Sequence, residues 1–260
     1  MTAREVTEII EEWAPLSIQE SWDNAGFHVG HPQTKVKGVL LSLDVTPSVL
    51  KEALALGANL VISHHPLIFK SLKQLCGQDQ VACMVEMAIK KNLVIYSSHT
   101  NVDKVATGVS GLMAEMLHLK DIEILNRDKE ELPVGLGIVG NLPEPLETSF
   151  FLTEVKRLFH LSSLRASCMY IPLISRVSVC GGSGSLLIQK AMESGSDIFL
   201  SGDISYHHYF NTEGKMILAD IGHYESEIAI VSKMAHILWQ KNLTFAVSIS
   251  KTNTNPIHYY

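Results

Sequence analysis

The sequence is poor in the features that would place it outside the ordinary globular class. It has four cysteines in 260 residues, Cys76, Cys83, Cys168 and Cys180, and no two stand at CxxC spacing. That argues against a disulfide framework or a zinc ribbon and favours reduced thiols. No apolar run approaches the roughly 18 residues of a membrane helix. The opening "MTAREVTEIIEEWAPL" is acidic and amphipathic, without the basic start and apolar block of a secretory signal. Charged residues make up 18% and the net charge is −6, so there is no electrostatic footprint for nucleic acid or an anionic membrane. The expectation is a cytoplasmic protein with neither membrane nor nucleic acid as partner. Against these absences stand a 46% hydrophobic content, enough for a sizeable core, and twelve histidines.

Strand and helix patterns alternate. Residues 2 to 14 read as a helix with Val6, Ile9, Ile10 and Trp13 on one stripe. "KGVLLSLD" reads as a buried strand and "TPSVLKEALALG" as a helix, with Thr46 as N-cap, Pro47 at the first position and Gly57 at the end. Strands "NLVIS" and "LVIYSS" follow, with helices at 79 to 91 and about 105 to 118. Residues 127 to 148 are rich in charge, Pro and Gly, hold one short strand, and mark the passage to a second lobe. Beyond them come a helix at about 148 to 160, the strand "RVSVC", the loop "GGSGS" and the helix "LLIQKAMESG". Strands "DIFLSGD" and "MILADIG", a long helix at 225 to 241 and the strand "LTFAVSIS" complete the chain.

The second lobe repeats the first. "KGVLLSLDVTPSVLKEALALGANLVISHH" lies over "SRVSVCGGSGSLLIQKAMESGSDIFLSGD" without a gap, with Gly57 on Gly195 at an offset of 138. "NLVIYSSHTNVD" lies beside "MILADIGHYESE", with His99 on His223 and Asp103 on Glu227 at an offset of 124. The expected fold is α/β: two related lobes from an internal duplication, each a mixed sheet flanked by helices. We place the first lobe at residues 1–126 plus 228–260 and the second at 127–227.

In open α/β sheets, ligands sit beyond the carboxyl ends of strands. His64, His65, His99, Asp103, Asp203, His223 and Glu227 all follow predicted strands. Imidazole and carboxylate suit Zn, Mn, Fe, Co or Ni. On an extended segment His64 and His65 point to opposite sides, so they serve one ion only if the chain bends, and two if it does not. That favours a dinuclear site at the lobe interface with a carboxylate such as Glu227 as bridge. Asp203 and His207 could orient ligand histidines or hold substrate. The "GGSGS" turn is read evenly as a phosphate cradle or as tight packing. "WDNAGFHVG" gives no reading by itself.

The motifs "SWDNAGFHVG", "SHHPLIF", "SSHTNVD", "GGSG", "SGDISYH", "DIGHYESE" and "TNTNPIHYY" stand in the order of the Nif-three-like family, also called GTP cyclohydrolase 1 type 2 homologs, and the chain resembles its short bacterial form along its whole length. The resemblance implies two divalent metal ions per chain, with His64, His65, Asp103, His223 and Glu227 as ligands. His99 then ranks with Asp203 and His207 as a neighbour that orients ligands or moves protons. It also implies a homohexameric ring. The function expected is a metal-dependent hydrolase of a nucleotide, nominally opening the GTP ring with formate release by a metal-bound hydroxide. The alternatives are a two-metal phosphoesterase or pyrophosphohydrolase, and a non-enzymatic metal-binding ring that acts as an interaction protein.

Overall fold

The computed structural model describes residues 1–77, 79–129, 133–168, 170–212 and 214–259. The stretch expected to separate the lobes includes 130–132, and the closing motif includes Tyr260; both lie outside the described residues. In chain order the elements are α1 (Ala3–Trp13), β1 (Gly26–Val29), β2 (Gly38–Ser42), α2 (Pro47–Ala55), β3 (Leu60–Ser63), α3 (Gln80–Lys90), β4 (Val94–Ser97), α4 (Thr100–Asp103), α5 (Val109–Met116), β5 (Lys120–Arg127) and β6 (Gly135–Glu147). Then follow α6 (Thr148–Leu158), β7 (Arg165–Ala166), β8 (Leu173–Ser183), α7 (Ile188–Glu193), β9 (Ile198–Gly202), β10 (Ile217–Asp220), α8 (His223–Glu227), α9 (Ala229–Trp239) and β11 (Ala246–Ile249). The chain forms two compact units: Met1–Val102 with Ile230–Pro256, and Asp103–Ala229 with Ile257–Tyr260.

The first unit holds a five-stranded sheet in the order β1-β4-β3-β2-β11. All pairs are parallel except β1 against β4. The apolar run of β2 is buried along its length, as a central parallel strand requires. Leu40, Val61 and Ile95 of the strands pack with Val49, Leu50 and Ala53 of α2 and Met84, Val85 and Ala88 of α3. Thr46 caps α2, its hydroxyl accepting from the Val49 N–H at 3.2 Å, and Pro47 opens the helix where no N–H is needed. Thr2 and Glu5 close a reciprocal capping box on α1.

The second unit holds a six-stranded sheet in the order β5-β6-β8-β9-β10-β7. Its centre, β8-β9-β10, is parallel, and its other pairs are antiparallel. Side chains alternate across it. Val177, Val179, Ile198, Leu200, Ile217 and Ala219 pack with Met113 of α5 and Phe151 and Val155 of α6. Cys180, Phe199 and Leu218 pack with Ile188 and Ala191 of α7.

The duplication is visible element by element. A shift of 138 carries β2 into β8, α2 onto residues 185–193, and β3 onto the first four residues of β9. Residues 185–193 are a 3₁₀ turn, Ser185–Leu187, running into α7. The strand register is the same: Val39 faces Leu60, and Val177 faces Ile198. For the next strand the offset is 123, because Leu60 faces Val94 and Ile198 faces Ile217. The histidines stand at 124 because one extra residue lies between Asp220 and His223. Gly222 turns the chain there at φ +86°, which glycine adopts without strain.

Some local expectations change. The strand expected within 127–148 is long, β6, and pairs antiparallel with β5, a strand that was not expected. β6 accommodates Pro143 and Pro145 where its register with β8 slips between Asn141 and Leu146. Gly181, Gly182 and Ser183 belong to β8 and not to a loop. The long helix expected at 225–241 is two, α8 and α9, separated at Ile228.

Candidate metal-binding side chains

In the first unit, β3 ends at Ser63. The next two backbone N–H groups, of His64 and His65, both reach the Leu43 carbonyl, at 3.1 and 2.9 Å. Successive N–H groups of an extended strand point to opposite sides, so the chain bends here. The bend sets the two imidazoles side by side, with ring centroids 4.9 Å apart. The adjacency argument for two separate ions therefore falls away, and the ion count rests on the whole donor set. The His65 carbonyl is fixed by the hydroxyls of Ser63 and Ser97, at 2.7 and 3.2 Å.

His99 follows β4 and completes a cluster. One ring nitrogen from each of His64, His65 and His99 lies within 4.8 Å of the others. Each ring is held by Nδ1: His64 on the Ser98 carbonyl at 3.0 Å, His65 on Asp44 at 2.7 Å, and His99 on Asp23 at 2.8 Å. An ionised carboxylate or a carbonyl only accepts, so Nδ1 carries the proton and Nε2 is the nitrogen that could ligate a metal or take up a proton. The other Asp44 oxygen accepts from the Thr254 hydroxyl at 2.6 Å. Burial opposes ionisation of Asp23, but hydrogen bonds from His99 and Thr100 outweigh it and hold this carboxyl well below the usual carboxylate range. Trp22 and Phe69, both exposed, set their rings 6.2 and 6.3 Å from that of His99.

In the second unit, His223 opens α8 immediately after Gly222, and Glu227 ends the helix one turn on. His223 repeats the pattern: Nδ1 bonds Asp203 at 2.7 Å, and Nε2 lies 3.1 Å from the Glu227 carboxylate. Glu227 is buried, and an oxygen of Asp103 lies within 4.8 Å of one of its own. Gly182 stands against this carboxylate with φ +61°, and a Cβ there would meet Glu227 Oε1 at 2.2 Å. The "GGSG" amides are engaged inside the protein, Gly182 N–H donating to Ser226 and Gly184 N–H to Ser201, both at 2.9 Å. Packing against Glu227, and not a phosphate cradle, accounts for this segment. Burial pushes the Cys180 thiol up to about 12, and the carboxylates of Asp103 and Glu227 add to the effect.

The predicted residues thus assemble within each unit: His64, His65 and His99 in the first, and Asp103, Asp203, His223 and Glu227 in the second. His207 does not join them; it is exposed beside Tyr206 and falls in no metal-ligating cluster among the described residues. The sequence reading passed over Asp23, Asp44 and Arg165. Asp23 and Asp44 orient His99 and His65; Asp23 sits in "SWDNAG", whose role had no reading. In each unit, imidazoles held at Nδ1 by oxygen acceptors are of the kind that could bind a divalent metal ion, and the second unit adds the buried Glu227.

A model of the Duf34/NIF3 (NGG1p interacting factor 3) family matches residues 1–256. A Lactococcus lactis protein named GTP cyclohydrolase 1 type 2 homolog is 37% identical over 254 residues, 95% of each chain. A Streptococcus pneumoniae protein of the same name is 32% identical over the full length of both. The crystal structure of the Staphylococcus aureus hypothetical protein SA1388 superimposes with a TM-score of 0.93 at 26% identity, covering 100% of this chain and 99% of that one. Among the described residues, no helix is long and apolar enough to cross a membrane.

Proposed function

This chain belongs to the Duf34/NIF3 family, and on that footing we propose that it is a metal-dependent hydrolase acting on a nucleotide. His64, His65, Asp103, His223 and Glu227 would hold two divalent ions, Zn, Mn, Fe, Co or Ni. The observation that carries the reading is the common anchoring of the imidazoles, each fixed at Nδ1 by an oxygen acceptor. Divalent ions at these side chains would supply Lewis acidity for hydrolysis.

The chain's own groups have separate tasks. Asp44 and Asp203 fix the rings of His65 and His223. His99, backed by the ionised Asp23, is the group that accepts and returns a proton at Nε2. GTP is the nominal substrate because the curated relatives carry that name; ring opening would release formate. A second reading, cleavage of a phosphoester or pyrophosphate, is favoured by Arg165, which lines a cavity together with His223. The resemblance also implies a homohexameric ring, for which native mass spectrometry would find six chains of 28.7 kDa, and the composition is in keeping with a cytoplasmic location.

The test is product analysis with GTP on metal-loaded protein. Formate supports ring opening, and inorganic phosphate supports the second reading. Neither product from fully loaded protein would leave the non-enzymatic ring.

A further inference from the structure

The second unit contains a cavity of about 340 Å³, within the range of small-molecule sites. Its walls include Arg165, Asp203, Asp220, His223 and Tyr259. It lies at the carboxyl end of β10, where ligands of open α/β sheets bind. Arg165 is its one Lys or Arg side chain among the described residues.

The fold takes trouble to place that arginine. β7 is two residues long and pairs with β10, so that Arg165 stands opposite Asp220. Asp220 is buried and triply held: it accepts from the N–H groups of Ile204 and Gly222, at 3.1 and 3.0 Å, and from Arg165 Nη2. The same Nη2 donates to the Ile204 carbonyl at 3.1 Å. One amino group of the guanidinium is thereby consumed in fixing it. Among the described residues Nε and Nη1 have no protein acceptor, and the side chain is 65% exposed. The carboxylates of the cavity are already committed, Asp203 to His223 and Asp220 to Arg165. What is offered to a ligand is a planar, immobilised pair of donors, the geometry that matches phosphate oxygens.

We propose that this cavity is an anion subsite in which Nε and Nη1 of Arg165 receive a phosphate group of the substrate, beside His223. The inference rests on the hydrolase reading and narrows its substrate to a phosphate-bearing small molecule.

The test is isothermal titration calorimetry of metal-loaded protein with orthophosphate, inorganic pyrophosphate and guanosine. Loss of a charge-assisted pair of hydrogen bonds weakens phosphate binding by about tenfold to hundredfold in Arg165→Met, with Arg165→Lys between this variant and wild type. Arg165→Met leaves Asp220 buried without its cation, so the Arg165→Met/Asp220→Asn double variant is measured beside it, with melting temperature as the check on folding. Orthophosphate binding would locate a single-phosphate subsite; pyrophosphate binding alone would locate one that needs two linked phosphates. If the folded double variant binds phosphates as tightly as wild type, or wild type binds neither, the inference is overturned. Metal content measured on the same samples separates the two readings. Arg165-dependent binding without metal sinks the hydrolase and keeps the subsite; full metal with Arg165-independent binding does the reverse.

Discussion

Two residues past Ser63 in the first unit stands His65; two residues past Ser201 in the second stands Asp203. The strands that present them have the same register, so these are corresponding positions on one duplicated frame. Their roles are exchanged. His65 offers a ring nitrogen and is oriented by Asp44, whereas Asp203 orients the ring of His223. Asp44 corresponds to Gly182 and His64 to Gly202. A Cβ at Gly182 would strike Glu227, and one at Gly202 would lie 2.7 Å from the His223 backbone nitrogen. The first unit spends these positions on side chains, and the second leaves them empty so that His223 and Glu227 can sit against the strand ends. One frame thus yields an imidazole-rich donor set and a carboxylate-rich one, and backbone clearance decides which.

The comparison breaks most sharply at Gly182. Gly182→Ala puts a methyl group where Glu227 Oε1 lies, at a backbone angle that L-residues resist. We expect a stability loss of about 1–3 kcal/mol in urea unfolding, and metal affinity down by at least about a hundredfold in chelator competition. Next come the orienting carboxylates. Asp44→Asn and Asp203→Asn should each weaken metal binding by about 10–100-fold, the same order in both units. An effect confined to one unit would show that the exchange of roles is not functional.

Asp23 gives a smaller, pH-dependent effect. Its carboxyl is depressed in the folded protein, so its contribution is present above the unfolded value near about 4 and is lost as pH falls through the folded value. Asp23→Asn should be less stable than wild type at neutral pH, with the gap closing in acid; denaturant midpoints across pH read this directly. The smallest effect concerns the thiols. Cys76, Cys83 and Cys168 are exposed and Cys180 is buried. At about pH 8, alkylation of native protein should reach the first three and spare Cys180 until the protein is unfolded, as peptide mass spectrometry would report.

The elements that read correctly from sequence are those set by local chemistry. Thr46 and Pro47 announce the start of α2 whatever surrounds them, and the gap-free repeat carried the β–α–β frame. β6 was read as too short because Pro143 and Pro145 look like a loop until the partner strand β8 supplies a register slip. The donor side chains were legible because each follows a strand. Of their orienting partners Asp203 was legible in the same way, but Asp44 and Asp23 were not, because those hydrogen bonds span 21 residues for Asp44 to His65 and 76 for Asp23 to His99. Arg165 meets Asp220 across 55 residues through a two-residue strand, which leaves no periodic trace in the sequence. The bend at His64 and His65 comes from the Leu43 carbonyl accepting twice, which neighbouring residues do not encode.

The measurement that bears most directly on the central claim is metal content per chain by elemental mass spectrometry, after incubation with Zn, Mn, Fe or Co and gel filtration. Wild type should retain about two ions, and His65→Ala and Glu227→Ala, one from each unit, should each fall below about one. A wild-type chain that emerges without metal from every incubation would contradict the account and leave these imidazoles as a hydrogen-bonded structural cluster.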